Sequence, residues 1–251
     1  MNVQEVYELL DRHAPFSAQE DWDNSGLLVG DPEREVRRVL ICLDLTREAA
    51  GLAEQLHADL VLTHHPVIFR AIRSVTPDEP WFRLLAQGTA VISAHTCLDA
   101  AEEGVSDALA EALGLEPLPT PAGLPPYLRL GECAEVTPEQ FASELQESLW
   151  ALGFDDCAPT LTEKDGAVSR VAVCGGAGGE FWREAKAAGA DLYVTGEAKY
   201  HELVDAHNAG MPMLLLGHWL SEQFVLPRLA DWLKEADPGL EIEVYLENFV
   251  M

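Results

Sequence analysis

No two of the five cysteines, Cys42, Cys97, Cys133, Cys157 and Cys174, stand in Cys-x-x-Cys spacing, and their number is odd. That indicates neither a disulfide framework nor a thiolate zinc site, and it fits a reducing, cytoplasmic setting. Basic residues are scarce, 16 against 43 acidic, for a net charge of −27. A groove that tracks phosphates needs clustered Lys and Arg, so the balance argues against nucleic acid or an anionic membrane as partner. Most of the acidic excess reads as solubility. No segment approaches the length of a membrane span, and Glu5, Glu8 and Asp11 stand where a signal peptide needs a basic start and an apolar run. Gly-x-Ser-x-Gly is absent, which disfavours serine-based acyl transfer. The run Gly175 to Gly179 lacks the Gly-Lys-Ser/Thr of a P-loop and the spacing of a dinucleotide fingerprint. It reads as a tight turn, with a phosphate cradle at a helix start as the alternative.

What is present is a chain of ordinary globular composition, 48% hydrophobic and 24% charged, long enough for a full core. Val3 to His13 has apolar residues on one helical face, and Asp21 to Gly30 reads as a polar turn feeding a short strand. Arg38 to Asp44 is a buried strand, followed by a helix from Thr46. Leu60-Val61-Leu62-Thr63 is the next strand and ends abruptly in His64-His65-Pro66. Pro66 has no N–H for a ladder, so both histidines sit at a strand's carboxyl end, where open α/β sheets gather ligands. A helix over Trp81–Gln87, the strand Ala90–Ala94 ending in His95-Thr96-Cys97-Leu98-Asp99, and a helix over Ser106–Leu113 follow. Prolines between Pro117 and Pro126 mark a connector. Beyond it come a strand near 128–130, a helix over Pro138–Leu152, strands over 170–174, 191–197 and 213–216, one long helix from about Ser221 to Lys234, and an alternating strand over 240–246.

An offset of 132 residues sets Arg38-Val39-Leu40-Ile41-Cys42 over Arg170-Val171-Ala172-Val173-Cys174, and Ala58-Asp59-Leu60 over Ala190-Asp191-Leu192. His95 and Asp99 fall over His218 and Glu222 with a slightly shorter offset. The expected fold is therefore α/β, with two similar domains related by an internal repeat and a metal cleft between them. The first domain spans 1–124 and carries His64, His65 and Asp99. The second spans 125–251 and carries His218 and Glu222, with the last strand able to join the first domain.

Taken singly, His-x-x-x-Asp and His-x-x-x-Glu are as compatible with an exposed helical pair as with a site. Together, His64, His65, Asp99, His218 and Glu222 form a mixed nitrogen and oxygen donor set of the kind that holds two divalent ions. Two such ions about 3.5–4 Å apart acidify a bridging water and polarise a carbonyl or phosphoryl oxygen. His95, Glu197 and His201 are candidates for orienting a ligand or transferring a proton, His95 and Glu197 being the catalytic choices. These donors fit zinc, manganese, iron, nickel, cobalt or magnesium.

The strings DWDNSGLLVGDP, THHPVIF, SAHTCLDAAEEGVSDALAEALGL, VAVCGGAGG, DLYVTGEAKYHE and GHWLSEQF, in this order, resemble the Nif-three-like dinuclear metal-centre proteins, often called GTP cyclohydrolase 1 type 2 homologues. The resemblance spans nearly the whole chain and matches the short form without an inserted middle domain. It implies a two-domain α/β fold, a toroidal homohexamer, and two divalent ions on the five residues named above, facing an inner cavity. Cys97 stands where the family has Asn, Glu103 and Ser106 where Gly and Asn are usual, and Trp219-Leu220-Ser221 where Tyr and smaller residues are usual. The activity implied is metal-dependent hydrolysis of a small phosphorylated or nucleotide-like molecule. Two other roles stay open: a non-enzymatic metal-binding or metal-delivery protein, and a ring-shaped interaction scaffold.

Overall fold

The computed structural model describes residues 1–154 and 157–246. By its internal contacts the chain forms two compact units. The first contains Met1–Gly104 and the segment that begins at Val225, and the second contains Val105–Phe224. The proline-rich stretch from Pro117 to Pro126 lies within the second unit.

In the first unit, α1 (Val3–His13) is closed at its start by a reciprocal capping box between Asn2 and Glu5, and it buries Val3, Val6, Leu9 and Leu10. The sheet is built from β1 (Gly26–Val29), β2 (Arg38–Cys42), β3 (Leu60–Thr63) and β4 (Ala90–Ser93), with α2 (Arg47–Leu56) and α3 (Pro80–Ala86) in the connections. Its order is β1, β4, β3, β2 and then the late strand Glu241–Tyr245, which pairs parallel with β2. β2, β3 and β4 are parallel neighbours, and β1 runs antiparallel to β4. All residues of β3 and β4 are buried, which explains why they read as continuous apolar runs rather than alternating ones. Leu40, Cys42, Val61 and Val91 share one face with Ala49, Ala53, Trp81 and Leu84 from the helices. A short helix, α4 (Thr96–Ala100), leaves β4 directly. Glu103 just after it has φ 60°, a left-handed conformation that suits the glycine expected there, and its carboxylate lies 3.5 Å from Arg228.

The second unit begins with α5 (Val105–Ala112) and β5 (Glu116–Leu118), followed by β6 (Arg129–Val136), α6 (Pro138–Ala151) and β7 (Thr160–Leu161). Then come β8 (Val168–Cys174), α7 (Trp182–Ala187), β9 (Leu192–Thr195), α8 (Tyr200–Asn208), β10 (Met213–Leu215) and α9 (His218–Gln223). Its six-stranded sheet has the order β5, β6, β8, β9, β10, β7, and β8, β9 and β10 are parallel. Val171, Val173, Leu192 and Val194 pack into one apolar cluster, whereas Ala172, Cys174 and Tyr193 pack into another. That is the two-residue alternation of strands covered on both faces.

The single helix expected from Ser221 to Lys234 is two helices, α9 and Leu226–Ala236. Pro227 sits in the first turn of the second helix, where a missing N–H costs nothing, and it has no N–H to bond back to the last turn of α9 as one continuous helix would require.

The 132-residue offset pairs positions with the same local chemistry. Val39 to Cys42 pair with Leu60 to Thr63, and Val171 to Cys174 pair with Leu192 to Thr195, in the same register. At the start of each unit's ladder an aspartate accepts two successive backbone N–H groups. Asp59 takes those of Arg37 and Arg38 at 3.0 and 3.1 Å, and Asp191 takes those of Ser169 and Arg170 at 3.0 and 2.9 Å.

Partial burial alone would raise the pKa of Asp59, but the two backbone donors and the Arg34 guanidinium outweigh it and hold the carboxyl below its usual value. Its stabilisation is therefore fully present above the unfolded carboxylate value near about 3.9 and is lost as pH falls through the lower folded value. Asp59→Asn is expected to cost about 1–2 kcal/mol at neutral pH. Urea unfolding at pH 7 and at progressively lower pH checks both parts, since the gap from wild type should narrow on acidification.

Candidate metal centre

The carboxyl ends of three adjacent parallel strands supply one group of polar side chains. β2 runs into Asp44, β3 into His64 and His65, and β4 into His95, with Asp99 one helical turn further along α4. One ring nitrogen from each of the three histidines lies within 4.8 Å of the others, and the rings meet edge to face or tilted at centroid separations of 4.9 to 5.5 Å. His64 is fully buried, and its Nε2 is 3.5 Å from an Asp99 carboxylate oxygen.

Each Nδ1 in this group has an oxygen acceptor. His64 donates to the Ala94 carbonyl at 2.8 Å, His65 to Asp44 at 2.9 Å, and His95 to Asp23 at 2.9 Å. An Nδ1–H fixed in this way leaves the lone pair of a neutral imidazole on Nε2, the tautomer that a metal ion needs.

Asp23 reaches His95 because β1 is antiparallel to β4, with Gly26 opposite Ser93, so the turn before β1 lies beside the end of β4. Its carboxylate is fully buried and accepts from the Asn24 N–H, the Ser25 hydroxyl, and both the N–H and the hydroxyl of Thr96. Burial opposes ionisation, but hydrogen bonds from His95, Thr96 and the Asn24 amide hold the Asp23 carboxyl far below the usual range. Asn24 also donates to the Ile68 carbonyl at 2.6 Å, tying this turn to the loop after His65. Trp22 and Phe69, both exposed, flank the edge of the His95 ring at 5.8 and 6.4 Å.

The second unit repeats the logic with different residues. His218 and Glu222 lie one turn apart on α9, with Nε2 3.2 Å from a Glu222 carboxylate oxygen. On the other side of the ring, Nδ1 is 3.5 Å from Glu197, which follows β9 and is half-exposed. The glycine run after β8 makes room for Glu222 rather than marking a separate cradle. A Cβ on Gly176 would lie 2.3 Å from the Glu222 Oε1, and the residue has φ 61°. A Cβ on Gly196 would lie 2.5 Å from both the Gly176 carbonyl oxygen and the Ser221 hydroxyl. Ser221 accepts from the Gly176 N–H at 2.9 Å and donates to the His218 carbonyl at 2.8 Å, which locks the start of α9 onto the glycine turn.

Within the first unit, then, His64, His65, His95 and Asp99 come together, and within the second His218, Glu222 and Glu197 do. His201 stands apart on α8, largely exposed, 4.0 Å from Glu202. The sequence reading missed the acceptors Asp23, Asp44 and the Ala94 carbonyl. Asp44 carried a signal, since it follows an apolar strand just as the histidines do, whereas a backbone carbonyl carries none. Cys97 faces inward, and burial pushes its thiol up to about 11, outweighing the Ser25 hydrogen bond, so it stays protonated.

These donors fit divalent ions on the evidence of their own hydrogen bonding. Imidazoles whose Nδ1 is engaged by oxygen, carboxylates beside them and no thiolate among them make an open nitrogen and oxygen set.

Comparison with known proteins bears on the same residues. The family model described as Duf34/NIF3 (NGG1p interacting factor 3) matches residues 1–249. A Clostridium perfringens protein named GTP cyclohydrolase 1 type 2 homolog is 32% identical over 94% of this chain and 92% of its own length. NIF3-like protein 1 of Drosophila melanogaster is also 32% identical, over 92% of this chain and 82% of its own. The crystal structure of the Staphylococcus aureus hypothetical protein SA1388 aligns with a TM-score of 0.87 at 26% identity, covering 100% of this chain and 99% of that one. Matched along nearly its whole length, and at about the length of the short form, this chain belongs to the NIF3/DUF34 family.

Proposed function

We propose that the protein holds two divalent metal ions on His64, His65, Asp99, His218 and Glu222 and hydrolyses a small phosphorylated or nucleotide-like molecule. The observation that carries the reading is the hydrogen bond from Nδ1 to oxygen at His64 and His65, to the Ala94 carbonyl and to Asp44, with Glu197 3.5 Å from Nδ1 of His218. Divalent ions bound to such a set supply Lewis acidity, bringing the ionisation of water toward neutral pH and polarising a carbonyl or phosphoryl oxygen. Asp44 and Glu197 orient His65 and His218. Glu197, half-exposed beside His218, is the carboxylate positioned to take up and release a proton. The name carried by the Clostridium relative supports a nucleotide-like substrate class.

Two further readings accompany this one. The two strand–helix–strand stretches are copies of one ancestral unit, supported by their equal register and by the matching roles of Asp59 and Asp191. The assembly is a homohexamer, an expectation that follows from the family resemblance and that light scattering tests directly.

Metal analysis of purified protein tests the centre. His64→Ala and Glu222→Ala should each lose most of the bound metal and at least about a hundredfold in hydrolytic rate. Retention of both metal and activity in the two variants refutes the reading, and metal uptake without turnover on a panel of nucleotides and phosphate esters points instead to metal storage or delivery. Gly176→Ala offers a subtler check. Its Cβ displaces the Glu222 carboxylate and the left-handed backbone adds about 1–2 kcal/mol of strain, so metal content and thermal midpoint should both fall while the far-ultraviolet spectrum is kept.

A further inference from the structure

We infer that His95 is itself a metal donor, a third imidazole presented through Nε2, with Asp23 as its positioning residue. This deepens the dinuclear reading above and rests on it. It also replaces the expectation that His95 handles protons.

Three observations, all within the first unit, converge. One nitrogen of His95 lies within 4.8 Å of one from His64 and one from His65. A tetrahedral site with metal–nitrogen bonds of about 2.0–2.1 Å places its donors roughly 3.4 Å apart, so modest side-chain rotation closes the set. Next, His95 is held as firmly as the two histidines at the end of β3. Its Nδ1 donates to Asp23, and its backbone N–H donates to the Ser25 hydroxyl at 3.0 Å, which in turn donates to Asp23 at 3.0 Å. A carboxylate behind an imidazole fixes its tautomer, fixes its orientation and raises its basicity as a ligand.

Third, Asp23 is itself held rigidly. A fully buried carboxylate accepting from five groups, on the two turn residues Asn24 and Ser25 and on His95 and Thr96 at the start of α4, is a fixed support rather than a solvated turn residue. Trp22 and Phe69 cover the outer edge of the ring, limiting water at the carboxylate–imidazole pair.

The added nitrogen has a consequence for metal choice. With a third imidazole the set leans toward zinc, iron, cobalt or nickel and away from magnesium, which prefers oxygen and retains its waters.

The test uses the full-length protein and two variants. His95→Asn keeps an amide N–H for Asp23 but removes the Nε2 donor, and Asp23→Asn keeps the shape of the support but removes its charge. Zinc and cobalt affinities are measured against a competing chelator, together with the visible absorption of the cobalt-loaded protein and magnesium binding as the contrast. His95→Asn is expected to weaken zinc and cobalt binding by a hundredfold or more and to shift the cobalt bands. Asp23→Asn is expected to weaken them by about 10–100-fold, with magnesium binding little changed.

If the wild type takes up zinc and cobalt while His95→Asn shows wild-type affinity and cobalt bands, the inference is overturned and the dinuclear reading stands. If the wild type takes up neither ion, the dinuclear reading fails and this inference with it. Should His95→Asn lose its far-ultraviolet signature, Asp23→Asn decides alone: unchanged affinity and bands overturn the role of His95, and a loss with the fold intact supports it.

Discussion

A buried imidazole has two nitrogens to satisfy, and this protein settles one of them the same way each time. Nδ1 is given to a carbonyl or carboxylate, and Nε2 is thereby aimed at the group of donors. The rest of the first unit can be seen as the means of supplying those acceptors. Parallel pairing of β2, β3 and β4 brings three strand ends side by side, so Asp44 meets His65 and the carbonyl after β4 meets His64. The antiparallel edge strand then brings Asp23 to His95 from the opposite chain direction, which no parallel strand in that position would do.

The second unit solves the same problem with space instead of charge. Glu222 is buried on a helix that begins immediately after a strand, so its carboxylate must lie against the preceding sheet's turns. Only a residue without a side chain leaves that volume open, and Gly176 does so in a backbone conformation that glycine adopts without strain. The glycine run thus serves the site by steric absence, while its N–H groups are partly taken up by Ser106 and Ser221. Ser106 supplies a hydroxyl oxygen to the Gly175 N–H from the start of α5.

Much of this was legible in the residues. The buried strands announced themselves as unbroken apolar runs because both their faces are covered, and His64-His65-Pro66 marked a strand's end because proline cannot extend a ladder. His-x-x-x-Asp and His-x-x-x-Glu proved to be single helical turns, α4 and α9, as that spacing allows. Asp59 and Asp191, which the 132-residue offset sets over one another, each accept two successive backbone N–H groups near the start of a neighbouring strand. What escaped was anything that depends on a partner distant in sequence. The join between α9 and the next helix was hidden because both are apolar on the inward side, and Asp23 looked like an ordinary turn residue because its partner lies 72 residues away.

The sequence by itself therefore determined which residues could be donors, and that they sit where strands stop. Local rules of propensity, spacing and backbone hydrogen bonding suffice for that. Only the tertiary structure decided which nitrogen of each histidine faces the other donors, since a tautomer is set by its acceptor, and the acceptors arrive through strand order and strand direction.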